Sequence, residues 1–126
     1  MGLVYAELKL SNPVDSELVP FDVQSLVDSG ALHLCIPEHF AFQLKLNEIE
    51  KREVTLDDGC KKLIPYAGPI KVSFSNRNAI VGTMIMEDEV LLGAIPMEDL
   101  DVVTHPAKRT LRVNPESPNI AMSKAK

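Results

Sequence analysis

Residues 25–37 read Ser25-Leu26-Val27-Asp28-Ser29-Gly30-Ala31-Leu32-His33-Leu34-Cys35-Ile36-Pro37. Phe21, Val23, Ser25 and Val27 fall on one side of a period-two strand that leads into this stretch. The strand meets a carboxylate, a hydroxyl and a glycine, and a short apolar strand resumes over Leu32 to Ile36. A carboxylate at the buried end of a strand is costly unless it is hydrogen-bonded or used in chemistry. Two readings of Asp28 follow. It is the acceptor of a tight Asx-type turn, or it is a reactive group with the Ser29 hydroxyl and the Gly30 N–H at hand.

Upstream, Val4, Ala6, Leu8 and Leu10 alternate with Tyr5, Glu7 and Lys9, as in a half-buried strand. The polar stretch Ser11 to Glu17 reads as a loop. Downstream, Pro37 and Glu38 open a helix, with Phe40, Ala41 and Leu44 on one face and an end near Lys45-Leu46-Asn47. The β pattern returns from Lys51. Glu53 to Leu56 and Cys60 to Ile64 flank Asp57-Asp58-Gly59, and Asp-Gly between extended runs predicts a hairpin because that turn needs positive φ. Pro65 and Pro69 bracket an expected bend, followed by a strand at Ile70, Val72 and Phe74. Ser75 to Asn78 reads as a turn, Ala79 to Met86 as the returning strand, and Glu87-Asp88-Glu89 as a solvated loop before Val90 to Ala94. Ile95 to Leu100 predicts a second short helix. Val102-Val103, a His105-Pro106 turn and a strand around Leu111-Arg112-Val113 complete the pattern, and the chain is expected to fray after Pro115.

An internal echo runs through this order. Gly30-Ala31 leads to Ile36-Pro37-Glu38, and Gly93-Ala94 leads to Ile95-Pro96-Met97-Glu98. The repetition predicts related geometry for the two segments.

Composition narrows the function. The chain has 126 residues and a net charge of −5, with 45% hydrophobic and 25% charged residues. That predicts one globular domain over residues 1–126, with a core at about 3–113 and a tail at 114–126, needing no metal or disulfide staple. The acidic balance argues against a nucleic-acid or anionic-membrane partner. The apolar runs are too short to span a bilayer. Met1 to Glu7 lacks the basic start of a secretory signal, and Ala6 stands where a myristoylation motif wants Ser or Thr. Two cysteines, Cys35 and Cys60, suit free thiols in the cytoplasm. No phosphate loop or dinucleotide fingerprint occurs. His33, Cys35 and His39 match no zinc spacing, so no metal and no cofactor is expected. Cys35 reads as packing rather than as a nucleophile, and Met84 and Met86 as core or interface filling.

Leu26-Val27-Asp28-Ser29-Gly30-Ala31 resembles the Asp-Thr/Ser-Gly signature of aspartic proteases, and Val90-Leu91-Leu92-Gly93 resembles the family's apolar-apolar-Gly segment. The two occur in the family's order with a hairpin between them. The likeness is to retropepsin-like members of the retroviral single-domain type and to small bacterial predicted aspartyl proteases, and it spans roughly Leu3 to Val113. It implies an all-β fold, a small closed antiparallel barrel with one or two short helices. It also implies an aspartic endopeptidase in which Asp28 is the catalytic carboxylate. Ser29 would bond across a dimer, and the Gly30 N–H would reach the carboxylate. Ala31, Leu92 and Gly93 would support the loop, and Leu56-Asp57-Asp58-Gly59-Cys60 would form the flap.

The family's chemistry needs two facing carboxyl groups, and two like charges about 3 Å apart share a proton rather than both ionise. This chain has one such motif; Asp58-Gly59 lacks the middle hydroxyl residue. The resemblance therefore implies an isologous homodimer acting on a peptide or protein substrate. The strands near Leu3 to Leu10 and Thr110 to Val113 would interleave between protomers. Two departures stand out. The hairpin tip is charged where retroviral flaps are glycine-rich, and Leu32-His33 follows the motif where those members place an acid. His33 is thus a candidate for substrate contact of a different kind. The departures leave two other readings open, a dimeric peptide- or protein-binding module of the same fold with little or no catalysis, and a monomer in which the motif is structural.

Overall fold

The computed structural model describes residues 2–125; Met1 and Lys126, with the N-terminal readings that involve Met1, lie outside the described residues. The elements in chain order are β1 (Val4–Ser11), β2 (Phe21–Val27), β3 (Leu34–Ile36), α1 (Glu38–Gln43), β4 (Asn47–Thr55), β5 (Lys61–Phe74), β6 (Arg77–Ile85), β7 (Val90–Leu92), α2 (Ala94–Leu100), β8 (Val102–His105) and β9 (Thr110–Val113). Strands β1-β2-β7-β3-β6-β5 form a continuous sheet, and β5 returns to β1 through Lys71–Ser73 against Ser11–Lys9. The result is the expected all-β closed barrel with two short helices. Closure removes the sheet edges that an open arrangement would expose.

The alternation in β1 and β2 points Ala6, Leu8, Leu10, Val23 and Val27 inward, where they meet Leu34, Ile36, Ile70, Val72, Val90 and Leu92. Each fully buried aliphatic side chain of this kind stabilises the fold by about 1.5–3 kcal/mol. Pro37 stands just outside α1 in an extended conformation, and the helix lays Phe40, Ala41 and Leu44 against the core. Asn12 ties the β1–β2 loop to the end of α1 by donating to the Leu44 carbonyl at 2.8 Å.

Two features of topology position the site. First, β7 lies between β2 and β3, parallel to β2 and antiparallel to β3, so the β2–β3 loop must cross the end of β7. Second, β5 pairs with β6 from Tyr66 onward, whereas Lys61–Pro65 pair with Thr55–Lys51 of β4. The hairpin therefore projects from the barrel as a two-stranded arm. Its tip closes through Leu56 N–H to the Cys60 carbonyl at 2.8 Å, with Gly59 at φ 87 as the Asp-Gly signal requires.

Several boundaries differ from the sequence expectation. β4 starts at Asn47 rather than Lys51, and β3 at Leu34 rather than Leu32. Arg77 and Asn78 belong to β6, not to the turn. Pro65 and Pro69 do not interrupt the strand. β5 continues through both, with a register shift between Ala67 and Ile70. A proline lacks a ladder donor, and Pro65 sits where β5 has β4 alone beside it among the described residues, which a strand tolerates. The tail after Pro115 is docked rather than frayed. Ser117 is buried, and Asn76 donates to the Pro118 carbonyl at 3.0 Å. Thr110–Val113 pairs with β8 of its own chain, in a separate two-stranded ribbon.

Candidate active site

Asp28 follows β2 directly. Its N–H donates to the Leu92 carbonyl at 3.0 Å, which extends the parallel β2–β7 pairing by one step. The Ala31 N–H then donates back to the Asp28 carbonyl at 3.1 Å, turning the chain. The Gly30 N–H donates to Asp28 Oδ1 at 2.9 Å and fixes the carboxylate. This bond is common to both readings of Asp28, the Asx turn and the reactive group. Burial differs from expectation: Asp28, Ser29 and Gly30 are all exposed in the protomer. The loop passes beyond the end of β7, so the carboxylate faces outward rather than into the barrel.

The loop is held from behind by the segment that echoes it. Ala94 N–H donates to the Ala31 carbonyl and Ile95 N–H to the Leu32 carbonyl, both at 2.8 Å. The two Gly-Ala segments therefore lie side by side. Gly93 allows this approach, because a Cβ there would sit 2.3 Å from the His33 carbonyl oxygen and 2.9 Å from that of Ala31. Leu92, fully buried, anchors the same segment in the core.

A groove of about 610 Å³ opens over Asp28. Gly30, Ala31, Leu32 and His33 border it on the loop side, and Arg52 to Asp57 border it on the arm. Cys35, Met84 and Leu91 line it on adjacent strands, and Cys35 is paired in register with both of the others. Of the expected flap residues, Leu56 and Asp57 line the groove; Asp58, Gly59 and Cys60 form the exposed tip beyond it. The Cys60 N–H and neighbouring turn groups hold the Asp58 carboxyl below its ordinary value.

His33 is half-buried and faces the base of the arm. Its Nε2 lies 3.5 Å from Arg52 Nη1, and its ring meets Tyr66 edge-on at 5.5 Å. The Arg52 guanidinium rests over the Tyr66 ring at 3.8 Å, and its Nε donates to Glu50 at 2.8 Å. Burial, and then the Arg52 charge, hold His33 below its ordinary value of 6.5. Burial pushes the Cys35 thiol up to about 11, with Glu87 and Asp28 adding to the effect. A thiol so disposed is not a nucleophile at neutral pH. His39 is exposed against Phe40, away from His33. Among the described residues no three His, Cys, Asp or Glu side chains are grouped to hold a metal ion, and no helix is long and apolar enough to cross a membrane.

Sequence reasoning missed Arg52, Tyr66 and Glu87, and assigned Met84 and Met86 to packing alone; both methionines line the groove. The period-two rule carries the signal for Met84, since it lies on the opposite face of β6 from Thr83. Arg52 and Tyr66 carry no local signal, because their contact depends on the arm's register.

No family model matches the sequence, and no curated protein matches it. Among solved structures the chain is similar in fold to the protease of simian foamy virus (mac), at 18% identity and a TM-score of 0.45, covering 73% of this chain and 93% of that one. It is also similar to a retropepsin-like aspartic protease from Rickettsia conorii, at 15% identity and a TM-score of 0.43, covering 77% of this chain and 82% of that one.

Proposed function

We propose that the protein is an aspartic endopeptidase that works as a homodimer, with the two Asp28 carboxyl groups facing one another across a two-fold axis. The observation that carries this reading is the placement of Asp28. Its carboxylate is exposed, fixed by the Gly30 N–H, and set in a groove beneath a projecting hairpin. An acceptor serving only a turn needs neither a groove nor a covering arm. The sequence resemblance supplies the rest: one motif per chain requires a second chain to complete the acid–base pair.

In this reading one carboxylate takes a proton from water while the other, protonated, donates to the scissile carbonyl oxygen. Water is the nucleophile, so the chemistry calls on no acyl-enzyme, metal or cofactor. Ser29 would bond across the axis and stiffen both loops. Leu56 to Cys60 would close over an extended peptide and exclude water. The substrate backbone would be held by main-chain bonds and its side chains by apolar pockets. The two free thiols support a cytoplasmic location in this reading.

The test is incubation with an unfolded protein from about pH 3 to about pH 7, comparing wild type with Asp28→Ala and Asp28→Asn. Cleavage by wild type alone is expected. Since Asp28 is exposed in the protomer, both variants should keep a protomer unfolding free energy, read from urea titration, within about 0.5 kcal/mol of wild type. Peptide binding without cleavage by any of the three favours the binding module, and cleavage that survives both substitutions removes Asp28 from the mechanism.

A further inference from the structure

We propose that the Asp28 groove selects peptides in which a lysine or arginine neighbours an apolar residue near the bond to be cut. The inference rests on the peptidase reading and names its substrate class.

Four carboxylates line the groove and come from separate parts of the chain: Asp28 from the β2–β3 loop, Glu53 and Asp57 from the arm, and Glu87 from the β6–β7 turn. Arg52 is the one guanidinium or ammonium among the described lining residues. Its charge is already engaged by Glu50 at 2.8 Å, by the Tyr66 ring at 3.8 Å and by the nearby His33. Lys61 lies 3.7 Å from Glu53, but both side chains are well exposed, and such pairs neutralise little in water.

The carboxylates act on the groove interior. Cys35, which lines it, is raised first by burial and then by the charges of Glu87 and Asp28, two of the other lining residues. A potential that disfavours a thiolate there favours a cation. The walls fit the rest of such a side chain. Lys and Arg lay their methylene stems along apolar surface and present the charge beyond it, and Val54, Met84, Met86 and Leu91 offer that surface. An acidic side chain entering the same groove would meet like charge among the lining residues, which binding sites disfavour.

The experiment uses three peptides of one apolar sequence that differ at a single position, with Lys, Gln or Glu. Cleavage by the full chain should favour Lys over Glu by at least about fivefold in kcat/KM, and the ratio should shrink as salt rises to about 0.5 M. Glu53→Gln and Glu87→Gln should each lower the Lys-to-Glu ratio. Glu17→Gln removes the same charge from the loop that precedes β2, at the far end of that strand, and should leave the ratio unchanged. Urea midpoints confirm that all three variants fold. Equal cleavage of the three peptides, or an equal response to Glu17→Gln, overturns the proposal. If nothing is cleaved, fluorescence anisotropy of the same peptides decides. A Lys preference lowered by Glu87→Gln sustains the selectivity while the peptidase reading falls; equal or absent binding overturns the selectivity as well.

Discussion

Gly93 has no room for a side chain, and its neighbours are backbone rather than movable side-chain ends. Gly93→Ala must push the Ala31–His33 backbone away, so an unfolding free energy lower by about 2–4 kcal/mol is expected, together with loss of peptide cleavage. Gly30→Ala is the informative contrast. Its Cβ would lie 3.1 Å from Asp28 Oδ1 and touch nothing else nearby. Stability should change by less than about 1 kcal/mol, while cleavage falls because the carboxylate is displaced by a few tenths of an ångström. A Gly93→Ala protein as stable as wild type, measured by urea unfolding, would remove the supporting role of this segment. At this scale the turn at the motif was legible, since Asp28, Gly30 and Ala31 bond to near neighbours in the chain. His33 was a candidate too, but its contact with Arg52 and Tyr66 was not legible, because three separate segments bring the three side chains together. Arg77 shows the same limit. It reads as a polar turn residue, yet it is buried with its guanidinium against the Ser117 carbonyl and Asp101.

Among elements, the tail is fastened to α2 through Asp101, the left-handed residue that ends the helix at φ 56. The Asp101 carboxylate accepts from the Met122 N–H at 2.8 Å, the Ser117 hydroxyl at 2.5 Å and the Asn114 amide at 3.0 Å, and it faces Arg77 at 3.7 Å. Together, in that order, these hold it down from 3.8 to about 2. The folded state therefore binds fewer protons than the unfolded chain between those values. Its contribution is present above about pH 4 and is lost as pH falls toward about 2. Urea midpoints should drop through that window in wild type, and Asp101→Asn should flatten the drop. Asn tolerates the left-handed conformation, so the comparison isolates the charge. An unchanged pH profile in the variant would show that the latch is not electrostatic. The sequence predicted both helices and all the strands, with β5 read as two strands, but expected fraying here, because a latch made from residues 77, 101 and 117–122 has no local pattern. The arm was legible as a hairpin from Asp57-Asp58-Gly59. Its projection was not, since that depends on where the pairing of β5 with β6 begins.

For the whole molecule, a site shared by two chains has a stoichiometric signature. Mixing wild type with an equal amount of Asp28→Asn should send about half of the wild-type chains into mixed dimers. Activity per wild-type chain should then fall by about half, and sedimentation velocity should show an unchanged dimer. Undiminished activity in the mixture would assign catalysis to a single chain. The sequence by itself determined the period-two strands, the Asp-Gly turn and the short motifs, because each depends on residues in contact along the chain. Tertiary structure alone decided how the two Gly-Ala segments bond to one another, that Asp28 faces outward, and that four carboxylates from three segments line one groove. Those outcomes depend on closing the barrel with β7 between β2 and β3. That closure is settled by burial of the whole apolar core, and no local stretch of residues encodes it.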